Sequence, residues 1–320
     1  FCKDGGHIYE NQTGDAACDQ YHRYKEDVQI MKEMGMKAYR FSLSWARIMP
    51  EGTGTVNEKG LKYYDNLINE LLDNGIEPFV TLYHWDLPYA LHLQGGWMNP
   101  NSPSWFYEYA KVVAEHFSDR VKNFFTINEP QCIVGLGYQT GEHAPGLKVG
   151  PSDYFRIWHN VLKAHGRAVE ALREFSKQPV KISMAPCGAL YVPETNKPED
   201  IEAARKANFS LPENSIGACS WDVALCCDPV YLGQYPEDIL KEFGQFFPKV
   251  TDADMKLISQ PLDFFGQNIY NAVTVRAGED GKAVRAARYD GFPQTAIGWP
   301  VTPEVLYWAP KFMQERYKKP

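Results

Sequence analysis

Apolar positions along the chain alternate between two spacings. Gln20–Met34 repeats them at helical intervals, with Val28, Met31 and Met34 on one face and Gly35 as a stop. Lys37–Trp45 follows as a short run rich in strand formers. Lys59–Asn74 returns to the helical period through Leu61, Tyr64, Ile68 and Leu71, and Gly75 lies just beyond it. Ile76–Tyr83 then reads as a buried strand. The alternation continues with a helix over Ser104–Phe117, a strand over Lys122–Ile127, a long helix over Asp153–Phe175 and a strand over Val180–Ala185. Cys187–Gly233 is more irregular, and two short helices come after it. The second opens at Thr251-Asp252-Ala253-Asp254, the pattern of a capping box. Asp263–Tyr270 is predicted to be the next strand, and Pro303–Tyr317 the last helix, interrupted or kinked at Pro310.

Strands alternating with helices imply parallel βαβ units. An open doubly wound sheet that binds a dinucleotide would place a glycine-rich turn after an early strand. No strand here is followed by G-x-G-x-x-G. The strand ends carry polar and aromatic residues instead, as in Tyr83-His84-Trp85-Asp86 and Asn128-Glu129-Pro130. A (β/α)8 TIM barrel presents its chemistry at the C-terminal ends of its strands, so the α/β class narrows to a barrel. No repeat, low-complexity tract or linker divides residues 1–320, which read as one domain.

Composition changes this picture little. A formal net charge of −7 argues against a surface built for nucleic acid or an anionic membrane, and no apolar run reaches membrane-spanning length. The first residues show no leader of the secretory kind. The seven cysteines form no C-x-x-C pair and are odd in number, so neither a disulfide framework nor a zinc ribbon is indicated. A reducing, cytoplasmic setting is the expectation. His159 and His165, six apart on one helix, lack metal-ligand spacing, so no metal or other cofactor is expected. Two sequons, at Asn11 and Asn208, carry little weight without secretion. The aromatic fraction of 14%, with 8 Trp and 19 Tyr, suits either a sugar-stacking pocket or a large core.

Five positions invite chemistry. Glu129 ends an apolar strand where a barrel presents its active-site floor. Poor solvation there favours the neutral, proton-donating form of a carboxyl group; an acid favoured by the dipole of a following helix is the plainer account. Asn128 can grip a sugar hydroxyl or cap a helix. His84 and Trp85 end another strand, as a hydrogen-bonding imidazole beside a pocket wall or as core. Arg40 lies inside a strand of Tyr39, Phe41 and Leu43, and a buried arginine asks for a carboxylate, whether functional or a simple structural ion pair.

Five fragments stand in register: Tyr39-Arg40-Phe41-Ser42-Leu43-Ser44-Trp45, Thr81-Leu82-Tyr83-His84-Trp85-Asp86-Leu87-Pro88, Gly95-Gly96-Trp97, Thr126-Ile127-Asn128-Glu129-Pro130 and His143-Ala144-Pro145-Gly146. Together they resemble glycoside hydrolase family 1, the β-glucosidase family, over the whole chain. The resemblance implies a TIM barrel and a retaining β-glycosidase acting on terminal β-linked glucose or a related sugar. It makes Glu129 the general acid/base and gives Asn128 the sugar 2-hydroxyl. His84 and Trp85 would line the glycone subsite, and Arg40 would lie beside the nucleophile. In Asp263-Phe264-Phe265-Gly266-Gln267-Asn268-Ile269-Tyr270, Asn268 would shape the aglycone side and Tyr270 would bond the nucleophile. The partner implied is a small-molecule β-glycoside or oligosaccharide; oligomeric state is not encoded legibly.

One departure stands out. The family's nucleophile lies in an Ile/Val-Thr-Glu-Asn-Gly segment on the seventh strand, and no Thr-Glu-Asn-Gly occurs in these residues. Glu142, in a loop, and Glu304, opening a helix, are not placed to replace it. About strands two to six of the barrel are expected, with the first, seventh and eighth absent. The chain is then expected to be incomplete, inactive alone and prone to aggregate through two open sheet edges. A 6-phospho-β-glycosidase of the same family and a non-catalytic sugar-binding or vestigial fragment remain as alternatives.

Overall fold

A computed structural model describes residues 1–211 and 213–320. Helix α1 (Gln20–Glu33) leads into strand β1 (Ala38–Ser42), α2 (Glu58–Asp73) into β2 (Glu77–Tyr83), and α3 (Ser102–Phe117) into β3 (Asn123–Asn128). Helix α4 (Pro151–Phe175) then leads into β4 (Lys181–Ala185). The four strands form one parallel sheet in sequence order, with Arg40 level with Phe79 and Phe79 level with Asn123. All six residues of β3 are buried, as expected of a parallel strand covered on both faces.

Much of the aromatic content goes into the core. Trp45, Tyr83, Trp97, Phe106 and Tyr109 are each 2% exposed or less, and their rings pack at centroid distances of 5.1 to 6.4 Å. Trp97, from the Gly-Gly-Trp fragment, also donates its Nε1–H to Tyr83 Oη at 3.1 Å. The large-core account of the aromatic fraction therefore holds for this cluster.

The stretch read as irregular contains β5 (Tyr191–Pro193), α5 (Pro198–Ala207) and α6 (Val223–Tyr231). Strand β5 joins a second sheet with β6 (Val273–Ala277) and β7 (Ala283–Arg285), and the latter two pair antiparallel. Helix α7 (Asp252–Ile258) has the predicted capping box, with Thr251 and Asp254 bonding each other's backbone amides. Helix α8 (Val305–Tyr317) runs through Pro310 without an interruption.

The main difference concerns Asp263–Tyr270, expected as a strand. It runs alongside β4 and past its end but forms no ladder. Asp263 N bonds Ile182 O at 3.0 Å and Asn268 N bonds Pro186 O at 2.9 Å. Between them side chains take over: Ile182 N donates to Asp263 Oδ2 at 2.7 Å, and Gly266 N to Ser183 Oγ at 3.0 Å. Four strands therefore form where five were expected. The architecture is that of an incomplete (β/α)8 barrel.

Candidate active site

The C-terminal ends of β1, β2 and β3, with the segment beside β4, bring every nominated residue into one network. Arg40 sits mid-strand, where its guanidinium has three neutral acceptors. Its Nε donates to Thr81 Oγ1 at 3.0 Å, Nη1 to Asn268 Oδ1 at 3.0 Å and Nη2 to Asn128 Oδ1 at 2.6 Å. The guanidinium also lies 4.6 Å from the centroid of the Phe125 ring. Among the described residues no salt bridge reaches it, so the carboxylate that the sequence asks for is not supplied by these residues. Amide and hydroxyl oxygens solvate the charge instead. Burial lowers the Arg40 pKa from its ordinary value, and the nearby Glu129 charge partly restores it.

Asn128 is 1% exposed and oriented from both sides. Its oxygen accepts from Arg40 and from Asn268 Nδ2 (3.0 Å), while its own Nδ2 donates to His84 Nε2 at 3.1 Å. That bond makes Nε2 an acceptor, so the His84 proton sits on Nδ1 and points to Ser42 Oγ at 2.9 Å. His84 keeps an exposed surface, yet the atoms packed about it and the Arg40 charge lower its pKa. A neutral imidazole is the result at neutral pH.

Glu129 follows directly after β3 and is 3% exposed. Its N–H bonds Ala185 O at 2.8 Å, tying it to the end of β4. Oε1 accepts from Tyr270 Oη at 2.6 Å and from Asn268 Nδ2 at 2.7 Å. Oε2 accepts from the Cys132 thiol at 3.3 Å. Tyr270 was expected to serve a nucleophile; here it donates to Glu129, and partial desolvation about its hydroxyl together with that carboxylate raises its pKa. Trp85 Nε1 donates to Asn128 O at 3.0 Å. Its ring borders a cavity of ≈ 350 Å³ also lined by Leu87, Tyr138, His143 and Cys132.

The sequence reading missed Ser42, Thr81 and Cys132. Ser42 and Arg40 are two apart on a strand and so share a face; Cys132 is one helical turn beyond Glu129. Both spacings were readable, but neither residue type demands a role. The arrangement holds one buried carboxyl group with its hydrogen-bond donors fixed, beside polar groups suited to hydroxyls and a cavity with aromatic walls. Such a site fits proton transfer to and from a sugar-like ligand.

The model of glycosyl hydrolase family 1 matches residues 1–320. The chain belongs to that family. It is an O-glycosyl hydrolase by class, of the β-glucosidase type. It is 43% identical over 322 residues to β-glucosidase A of Thermotoga maritima, covering 100% of this chain and 69% of that relative. It is 41% identical over 319 residues to the 1,4-β-D-glucan glucohydrolase of Thermotoga neapolitana, covering 99% of this chain and 72% of that relative. The Thermotoga maritima enzyme solved with isofagomine lactam superposes with a TM-score of 0.85 at 42% identity, over 100% of this chain and 69% of that one. Its glucoimidazole complex gives 0.86 at the same identity, over 100% and 70%. Both family 1 ligands are small and sugar-like. No described helix of this chain is long and apolar enough to cross a membrane.

Proposed function

We propose that these residues are the acid/base-bearing part of a retaining β-glycosidase acting on terminal β-linked glucose or a related sugar. The observation that carries this reading is Glu129 itself, buried at the end of β3 with Oε1 held by Tyr270 and Asn268. In its protonated form Glu129 gives its proton to the departing glycosidic oxygen. As carboxylate it then takes a proton from the water that releases the sugar. Asn128 spends one amide hydrogen on His84 and keeps the other for the sugar 2-hydroxyl. His84 and Trp85 border the same sugar, and the chemistry asks for no cofactor.

Retention needs a second carboxylate about 5–5.5 Å from the first. We assign none of these 320 residues to that role. Glu142 lies in a loop and Glu304 is the N-cap of α8. Among the carboxylates of the described residues, Glu129 is the one whose charge bears on Arg40. The purified 320-residue chain should therefore release no nitrophenol from an aryl β-glucoside; turnover would overturn that part of the proposal. The role of Glu129 is tested separately, in the protein expressed from the complete reading frame that encodes these residues. Glu129→Gln should slow hydrolysis of glycosides with poor leaving groups by about 10²–10⁴-fold. With an activated aryl glycoside, whose leaving group departs without a proton, added azide should restore turnover by attacking the glycosyl-enzyme in place of base-activated water, and yield a β-glycosyl azide. Unchanged kinetics would assign the proton elsewhere.

A further inference from the structure

One cluster of ligating side chains adjoins the sugar site through Glu129 and adds two thiols that the chemistry above does not use. The thiols of Cys132 and Cys187 and the carboxylate of Glu129 are all buried, with their ligand atoms within 4.8 Å of one another. Local geometry explains the meeting. Cys132 lies one helical turn after Glu129, and Cys187 lies two residues beyond the end of β4. Strands β3 and β4 are neighbours with Asn128 level with Ala185, so their following turns face each other. Fifty-five positions separate the two cysteines, and no sequence motif announces the pair.

We infer that Cys132, Cys187 and Glu129 form a binding site for a thiophilic divalent cation of the zinc class. Two sulfurs in three ligands disfavour magnesium and calcium, which take oxygen, and suit zinc, cobalt or cadmium. Zinc holds sulfur at about 2.3 Å and carboxylate oxygen at about 2.0–2.2 Å, so the widest pair must draw in by roughly an ångström. Cys132 Sγ already lies 3.3 Å from Glu129 Oε2. A fourth ligand is at hand in Gln131 Oε1, 3.9 Å from the Cys187 sulfur. Gln131 is fully buried, and its Oε1 accepts from Cys187 N at 3.3 Å, which holds the amide oxygen beside the two thiols. Cys132 also lines the ≈ 350 Å³ cavity beside Trp85, which gives a hydrated ion its approach and leaves room for a water ligand.

Binding sends two thiol protons to solvent and engages Glu129 Oε2. The cation would thereby silence Glu129 as a proton donor. That consequence rests on the function proposed above; the binding itself does not.

The test adds Co²⁺ alone to the 320-residue chain under anaerobic, reducing conditions, followed by Zn²⁺. One equivalent of cobalt should give sulfur-to-cobalt charge-transfer absorption in the near ultraviolet, and zinc should abolish it. Cys132→Ser and Cys187→Ser should each weaken binding by at least about tenfold. A Cys2→Ser, Cys18→Ser double variant, which removes the exposed thiols, should leave it unchanged. Where a core serine prevents folding, Glu129→Gln serves instead: it keeps both thiols and should retain the absorption with affinity at least about tenfold weaker. Absence of the band, its persistence in both core variants, its loss with the exposed thiols, or full affinity in Glu129→Gln would overturn the site.

Discussion

Glu129 and Trp85 hold φ angles of 43° and 83°, in a region that side-chain-bearing residues seldom adopt. Such positions cost about 1–3 kcal/mol each and persist where surrounding bonds impose them. The bonds are visible. Glu129 N is tied to Ala185 O, Trp85 Nε1 to Asn128 O, and Tyr83 Oη donates to Trp85 O at 2.9 Å. Residue identity at Glu129, Asn128, His84 and Arg40 was readable because each sits where a barrel strand delivers it. The bonding of each was not. Arg40 was expected to ask for an acid; among these residues neutral oxygens from three separate segments bond it, and only folding brings those together. A neighbouring histidine makes the point through pH. His165 is completely buried in α4, and burial lowers its pKa to about 3. The unfolded chain binds a proton below about pH 6.5 that the folded chain refuses. Stability is therefore complete above that pH and is lost as pH falls from about 6.5 toward 3, by about 3 kcal/mol at pH 4. Denaturant titrations across this range should show the slope, and His165→Gln should flatten it; an unchanged slope would place the effect on another group.

The helices that precede the first four strands, and those strands themselves, follow from spacing alone. Helix α2 carries a wide apolar stripe that buries Leu61, Tyr64, Ile68 and Leu71, and the strands are short runs rich in apolar residues bounded by turns. The Asp263–Tyr270 segment shows where that logic stops. Its composition suits a strand, but a ladder also needs backbone in register, and here the Asp263 and Ser183 side chains intercept the bonds. Gly266 sets the closeness of this approach. A Cβ there would stand 2.5 Å from Met184 O and 2.7 Å from the Phe125 ring. Gly266→Ala must push the segment outward, dragging Asn268 and Tyr270 off Glu129. A loss of about 1–3 kcal/mol in unfolding free energy is expected, as for overpacked cores. A melting temperature equal to that of the parent chain would show that the segment is free to shift. The second sheet went unread for a different reason. Strand β5 is three residues long, and its partner β6 lies some eighty positions away, too short and too distant to signal itself.

At the scale of the molecule, two open sheet edges were expected. The Asp263–Tyr270 segment runs along β4, whereas β1 pairs with β2 alone. An uncovered edge strand is a template for pairing with another chain. The 320-residue chain should therefore self-associate as its concentration rises, measurable by sedimentation velocity; a monomer at every concentration would show that β1 is protected. What the sequence determined by itself was the alternation of strand and helix, the barrel class, the family, and the residues gathered at the strand ends. All of these depend on local spacing or on short fragments in register, which a linear reading captures. Only the tertiary structure decided which oxygens solvate Arg40, which donors hold Glu129, and that two distant thiols stand beside it. Those contacts join segments up to 228 positions apart, as between Arg40 and Asn268. Their partners are chosen by packing and by the demand that buried polar groups be satisfied, which no single segment can meet alone.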